Sequence, residues 1–300
     1  MSSDLEAIAN ELKRLQRDGI DRIFVEDNTL EQLSCAKVLL NANRNKETLD
    51  RDSSAVVEGS KAKKAPTATA SNTAEQKKTQ FPKAPKIQLS KGDSGTQMAS
   101  LGEMIHTSEL CLAQLKEPEK VVLGAGSTDA DILFCGEAPS VDEALTGEPF
   151  IGKAGNLLSK IITAMGLTRE STYLTYIMKW RPSHNKPYGE RPATGEEIAY
   201  CMSYLRAQID IIKPKVIVAL GNAAAKGLIG DELDQNFSDA RGTWSSFQGI
   251  PVIITFHPSY LLRNDTLKTK RLVWEDMLQV MEKCGLNISE KQRAFFLSKV

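Results

Sequence analysis

Three stretches of this 300-residue sequence carry residue types at spacings that could do chemistry. Glu137 stands just past the apolar run DILFC (131–135), in a loop bent by Gly136 and Pro139. A carboxylate there can orient a water, act as a base or stabilise a developing positive charge, and it can equally cap a helix. Asp142 and Glu143 follow it, at a spacing that matches no strong metal-ligand pattern. Next, Phe150–Gly155 (FIGKAG) leads into a helix. Its glycines permit close backbone approach, and a helix N-terminus favours an anion, so Lys153 is a candidate phosphate contact. The stretch is not a P-loop, which needs a G-x-x-x-x-G-K-[ST] spacing. The third stretch is His257–Arg263 (HPSYLLR). A hydrogen-bond donor, Ser259, two leucines and a cation within one short segment suit a single task. The histidine meets a base or leaving group, Leu261 or Leu262 fills a gap in a base stack, and Arg263 meets phosphate.

Such groups act together only if the fold brings them together. Continuous apolar runs at 131–135, 172–178, 215–219 and 251–255 read as buried strands. Helical spacing covers 153–165, 194–212, 221–229 and about 269–284. Strand and helix alternate, which predicts an α/β fold with a central parallel sheet and helices on both faces. Each strand is followed by a polar loop, and four such loops at one sheet edge can build one cleft. Gly124-Ala125-Gly126 precedes its strand and lacks a third glycine, so it reads as a turn and not as a dinucleotide fingerprint.

Residues 101–284 hold this pattern. Residues 1–43 read as a small helical module, with Leu5, Ile8, Leu12 and Leu15 at helical spacing, and 285–300 as a short helix or frayed tail. Residues 44–100 are nearly free of large apolar groups and carry eleven Lys/Arg against six Asp/Glu. They read as a disordered basic linker, either a tether or a salt-screened grip on polyanions. The net charge of zero excludes a simple polycation, so any nucleic-acid binding needs locally clustered charge. No apolar run is long enough to cross a membrane, and the charged N-terminus does not read as a signal peptide. The expectation is a cytoplasmic monomer whose five scattered cysteines are thiols.

The motifs GEAP…GEPFIGKAGNLL, KWRP…N, KVIVALG, GTW…GIPVIITFHPSYLLRN and VWEDM occur in that order between about 105 and 283. Together they resemble the uracil-DNA glycosylase superfamily, and within it the iron–sulfur (family four) branch. The resemblance implies a three-layer α/β/α fold and a DNA glycosylase that flips uracil, or a related deaminated base, out of DNA and hydrolyses its N-glycosidic bond, initiating base excision repair. Its partner would be DNA containing such a base. The resemblance implies that Glu137 handles the water or the sugar cation and that His257 donates to uracil O2. It places Glu143 against the pyrimidine 5-position and Phe150 as the stacking ring. Asn185 approaches the DNA and base, Leu261 or Leu262 is the wedge, and Arg263 contacts the backbone. A catalytically reduced member that binds lesions or single strands without cutting is the alternative.

Two departures from the branch stand out. Its four cluster cysteines correspond here to Ser108, Cys111, Trp180 and Cys201. Cys111 and Cys201 alone cannot hold a four-iron cluster, so no cofactor is expected. A [4Fe-4S] cluster completed by His106 or His184 is the alternative, and Trp180 is expected to fill the vacated space. The branch also carries an asparagine that reads the uracil amide edge where this chain has Tyr176. Tyr176 cannot offer a paired donor and acceptor. Base preference has then shifted, or the pocket is blocked, or the strand reading slips by one residue.

Overall fold

The structure is a computed structural model that describes residues 81–182, 191–230 and 237–297. The chain divides into two units, Met1–Glu75 and Gln76–Val300, and every described residue belongs to the second. The N-terminal module and most of the expected linker therefore lie outside the described residues.

The expected strands form as β2 (Ile132–Gly136), β3 (Tyr173–Tyr176), β4 (Val216–Leu220) and β6 (Ile250–Thr255). They pair in parallel in the order β3-β2-β4-β6. Residues 132–136, 173–176 and 216–220 are all buried, which explains their unbroken apolar character. Alternation divides their side chains between two cores. Leu133, Cys135, Ile217 and Ala219 join one, while Ile132, Phe134, Val216 and Val218 join the other.

The first core is covered by α1 (Ser94–His106) and α5 (Gly195–Ile212), the second by α4 (Gly152–Ala164) and α9 (Leu267–Lys283). Thr194 and Glu197 close a capping box at the start of α5, so the polar residues just before its apolar stripe mark its beginning. Shorter helices complete the layers: α2 (Glu109–Ala113), α3 (Val141–Thr146), α6 (Asn222–Ile229), α7 (Phe237–Ala240), α8 (Pro258–Arg263) and α10 (Glu290–Arg293).

The sheet has six strands and is mixed, because both edges are antiparallel. Ala125 and Gly126 form β1, opposite Leu174 and Tyr173, where the sequence suggests a turn. Gly126 is needed there: a Cβ would lie 1.8 Å from the Thr172 carbonyl oxygen. At the other edge β5 (Trp244–Phe247) pairs with β6 through a hairpin at Gln248 and Gly249, both at positive φ, 52° and 79°. β5 escapes sequence reading because three of its four side chains are not buried. α1 starts at Ser94, inside the span read as linker. In the tail, the Trp274 indole N–H donates to the Gln292 carbonyl at 2.6 Å, and Gln292 donates to the Ala164 carbonyl at 2.8 Å.

Candidate functional site

The loops after β2, β3, β4 and β6 leave the same sheet edge, and the chemistry-bearing stretches gather there. The turn at Phe150 has the most fixed geometry. Phe150 has φ +52°, unusual for a residue with a side chain and a mark of local strain. Glu143 Oε1 accepts from the Ile151 N–H at 3.2 Å, while Oε2 accepts from the Ser140 N–H at 2.7 Å. Arg169 donates to the Phe150 and Pro149 carbonyls at 3.0 and 2.8 Å. The Phe150 carbonyl oxygen also packs over Gly155, where a Cβ would stand only 1.7 Å away. The glycine in FIGKAG thus makes room for the ring's own backbone. Arg169 carries no motif, and no signal in the sequence picks it out.

Tyr176, the last residue of β3, closes this corner. Its ring stacks on Phe150 at 4.5 Å with an interplanar angle of 23°. Its hydroxyl accepts the Phe150 N–H at 3.0 Å. The same ring lies over Gly136, where a Cβ would come within 2.7 Å of it. Burial, then the Glu143 charge, push the phenol pKa well above its usual value. Phe150 and Tyr176 are each 2% exposed, so neither ring presents an open face to solvent.

Glu137 follows β2 directly, and its main chain is pinned by the Met178 N–H, which donates to its carbonyl at 2.9 Å. Its Oε1 accepts from the Ala193 N–H at 3.1 Å. The carboxylate faces a cavity of about 260 Å³ lined by Arg181, Arg191 and three prolines. Arg181 is paired with Glu119 at 2.6 Å, and Arg191 with Glu197 at 2.6 Å. Asp142 is exposed and turned to solvent.

His257 follows β6 and forms the N-cap of α8. Its Nδ1 accepts from the Ser259 N–H at 3.2 Å and lies 2.7 Å from the Ser259 hydroxyl. Burial first, and the Arg263 charge second, lower its pKa from 6.5 to about 4. The imidazole is therefore neutral at pH 7, and with Nδ1 accepting, its proton sits on Nε2. The ring centroid is 6.3 Å from that of Phe150, so the two rings share one corner. Gly221 (φ +91°) admits His257 closely, since a Cβ there would meet the His257 Cβ at 3.2 Å.

The two leucines of α8 have different surroundings. Leu261 is 4% exposed, in the groove beside α4, whereas Leu262 is 45% exposed. Only Leu262 is free to enter a base stack without unpacking the helix. Ser259 is half-buried, and Lys153 and Arg263 are exposed. Asn185 lies outside the described residues.

The four positions that correspond to cluster cysteines can be tested against their surroundings. Cys111, Trp180 and Cys201 are fully buried. Burial raises the thiol pKa of both cysteines, and two sulfurs are half the set that a four-iron cluster needs. Cys111 Sγ is 4.0 Å from the Tyr204 hydroxyl, and Ser108 Oγ 3.4 Å from that of Tyr200. Phe81, Trp180 and Tyr204 pack around Tyr200 at ring separations of 5.7, 6.2 and 5.9 Å. The Trp180 indole nitrogen is buried with no hydrogen-bond partner among the described residues. A group with orphaned polarity is held there by its volume. His106 is exposed, and His184 is outside the described residues. Among the described residues no three His, Cys, Asp or Glu stand together in a way that could hold a metal ion. These residues do not fit a four-iron cluster.

A family model described as the uracil DNA glycosylase superfamily matches residues 123–278. The type-4 uracil-DNA glycosylase of Thermotoga maritima is 40% identical over 183 residues, which cover 60% of this chain and 91% of that protein. That of Archaeoglobus fulgidus is 36% identical over 181 residues, covering 57% and 85%. That of Sulfurisphaera tokodaii is 38% identical over 169 residues, covering 54% and 73%.

Proposed function

This chain belongs to the uracil DNA glycosylase superfamily, and we propose that it excises uracil, or a related deaminated base, from DNA. The substrate nucleotide is flipped out of the stack, and Leu262 occupies the gap it leaves. Arg263, Lys153 and Ser259 hold the flanking backbone. As the N-glycosidic bond lengthens, negative charge grows on the departing base and positive charge on the sugar. His257 donates from Nε2 to the base, and a donor aimed at developing charge acts in the transition state. Glu137 stabilises the sugar cation or orients the water that completes hydrolysis. Glu143 and Phe150 shape the base site, with Tyr176 behind them and Asn185 as a further contact.

The observation that carries this reading is the state of His257. A half-buried, neutral imidazole with Nδ1 spent on the Ser259 N–H keeps one proton for one purpose. No step needs a cluster, and the packing around Trp180 favours a chain that works without one. The expectations of a cytoplasmic location and a monomeric state belong to the same proposal. Among the described residues no helix is long and apolar enough to cross a membrane.

The test is base release from end-labelled single- and double-stranded oligonucleotides carrying uracil, hypoxanthine or xanthine, read after alkaline cleavage. The expected result is cleavage at uracil that falls about 10²–10³-fold in His257→Ala, with a large fall also in Glu137→Ala and DNA affinity nearly intact in both. One observation favours a second reading, binding without cutting: the Phe150 and Tyr176 rings are closed against each other. Intact DNA binding with no cleavage of any of the three lesions would select it.

A further inference from the structure

Behind His257 lies a buried ion pair that the reaction scheme does not use. Asp276, on α9, is fully buried. Its Oδ1 accepts from Arg241 Nη1 at 2.5 Å, and its Oδ2 accepts from the Thr255 hydroxyl at 2.6 Å. Arg241 also donates to the Leu272 carbonyl at 3.1 Å. Its guanidinium carbon lies 5.9 Å from the centre of the Phe256 ring. Phe256 in turn stacks on Tyr260 at 4.4 Å and 13°, and meets Phe237 edge-on at 5.6 Å.

The chain is built around this carboxylate. Gly242, at φ +75°, sits where a Cβ would be 2.8 Å from Asp276 Oδ1. The Gly242 N–H donates to the Ile254 carbonyl at 2.7 Å, and the Gly221 N–H donates to the Thr255 carbonyl at 2.8 Å. The residues gripped are the two that precede His257: Thr255 by Asp276, and Phe256 by Arg241. Tyr260, three residues after His257, is fixed through Phe256. A buried ion pair is a weak source of stability, because desolvation offsets its attraction, while fixed geometry is its better-attested use. The aromatic stack adds a planar contact that a lysine in place of Arg241 could not reproduce.

We propose that Asp276, Arg241 and Thr255 are positioning residues for His257, holding the end of β6 and the start of α8 so that the imidazole keeps its orientation. The inference rests on the glycosylase reading for its kinetic consequence but not for its structural one. The three residues touch no substrate, and they act through the backbone of 255–257 and the Phe256–Tyr260 stack.

Asp276→Ala would leave the partly buried Arg241 without its carboxylate and risks unfolding. The test therefore uses Thr255→Val, which removes one hydroxyl at nearly constant volume, with Thr255→Ser as the conservative partner and Arg241→Lys to break the stack while keeping the charge. Two readouts are taken on the full chain. Single-turnover excision of uracil should fall about tenfold or more in Thr255→Val and Arg241→Lys, with the Kd for DNA within twofold, and should recover in Thr255→Ser. Long-range ¹H–¹⁵N spectra of the ring nitrogens should show the His257 signals shifted in Thr255→Val and restored in Thr255→Ser. Only three histidines are present, and His257→Asn assigns the signals. Wild-type ring signals and wild-type excision in a Thr255→Val protein that merely melts earlier would overturn the proposal. Unmoved ring signals overturn it even where the wild type cuts nothing. Shifted signals in such a protein would support the positioning role and reject the glycosylase reading.

Discussion

Two aromatic clusters on opposite faces of the same sheet differ in what holds them. In the Phe150–Tyr176 corner the polar groups around the rings are matched. The Tyr176 hydroxyl takes the Phe150 N–H, Glu143 takes two backbone donors, and Arg169 takes two carbonyls. Around Trp180 the packing is of aromatic rings, the Tyr200 and Tyr204 hydroxyls meet Ser108 and Cys111 at 3.4 and 4.0 Å, and the indole N–H has no partner among the described residues. One corner is specified by hydrogen bonds and keeps a strained φ at Phe150. The other is specified by volume. The first holds a geometry, while the second fills a space. That fits a candidate site at the first and a packed core at the second.

Substitutions in each cluster should tell the two apart. The largest effect is expected at the space-filling end. Trp180→Ala should destabilise the protein by about 3–5 kcal/mol in denaturant unfolding. Trp180→Phe, which deletes the orphaned N–H and keeps most of the volume, should cost about 1 kcal/mol or less. Equal costs for the two would mean that the indole nitrogen matters and that the volume account is wrong.

A second expectation concerns protons near the hydrogen-bonded corner. His257 falls from 6.5 to about 4 in the fold, so the unfolded chain binds its proton more readily. That contribution to stability is full above pH 6.5 and is lost as pH falls toward 4, a swing of about 3 kcal/mol. Asp276 works in the opposite sense. Its pKa is raised from 3.8 to about 6, mainly by burial, so its contribution is present below 3.8 and is lost as pH rises through 6. The wild-type curve mixes the two. The stability difference between wild type and His257→Asn isolates the histidine, and it should grow in the wild type's favour from pH 4 to 6.5. A flat difference would mean that the ring is not neutralised by its site.

Tyr176→Phe comes next. It strands the buried Phe150 N–H and should cost about 1–3 kcal/mol, together with a change in excision, because the Phe150 turn loses an anchor. A stability loss without any change in activity would separate Tyr176 from the site. The smallest effect is expected outside both clusters. Arg263→Gln should weaken binding to all DNA sequences alike and lower the slope of log K against log salt by about one. An unchanged slope would remove Arg263 from the backbone contact.

Much of the fold was legible because the strands are buried on both faces. Unbroken apolar runs such as Val216–Leu220 mark themselves, and the polar stretches between them mark the loops. The edges were not legible. β5 has little apolar patterning, and β1 is two residues long and defined by a close pass to Thr172. At the candidate site, Glu137 and His257 stand out by residue type and position after a strand, while Phe150 is singled out only by the family resemblance. Arg169, Arg241 and Asp276 do not stand out, because a residue that grips a backbone from another element leaves no local pattern. The choice between Leu261 and Leu262 was also hidden, since both are leucines and only packing against α4 buries one of them.

The order of strands and helices, the polar loops that follow them and the donor–wedge–cation segment are set by the sequence alone, because these depend on local periodicity and residue chemistry. Tertiary contacts alone settle that Tyr176 lies against Phe150, that the Trp180 indole nitrogen has no partner among the described residues, and that a buried carboxylate 19 residues beyond His257 grips the strand before it. Those facts depend on contacts between distant segments, whose strength is set by burial and geometry and not by neighbours in the chain.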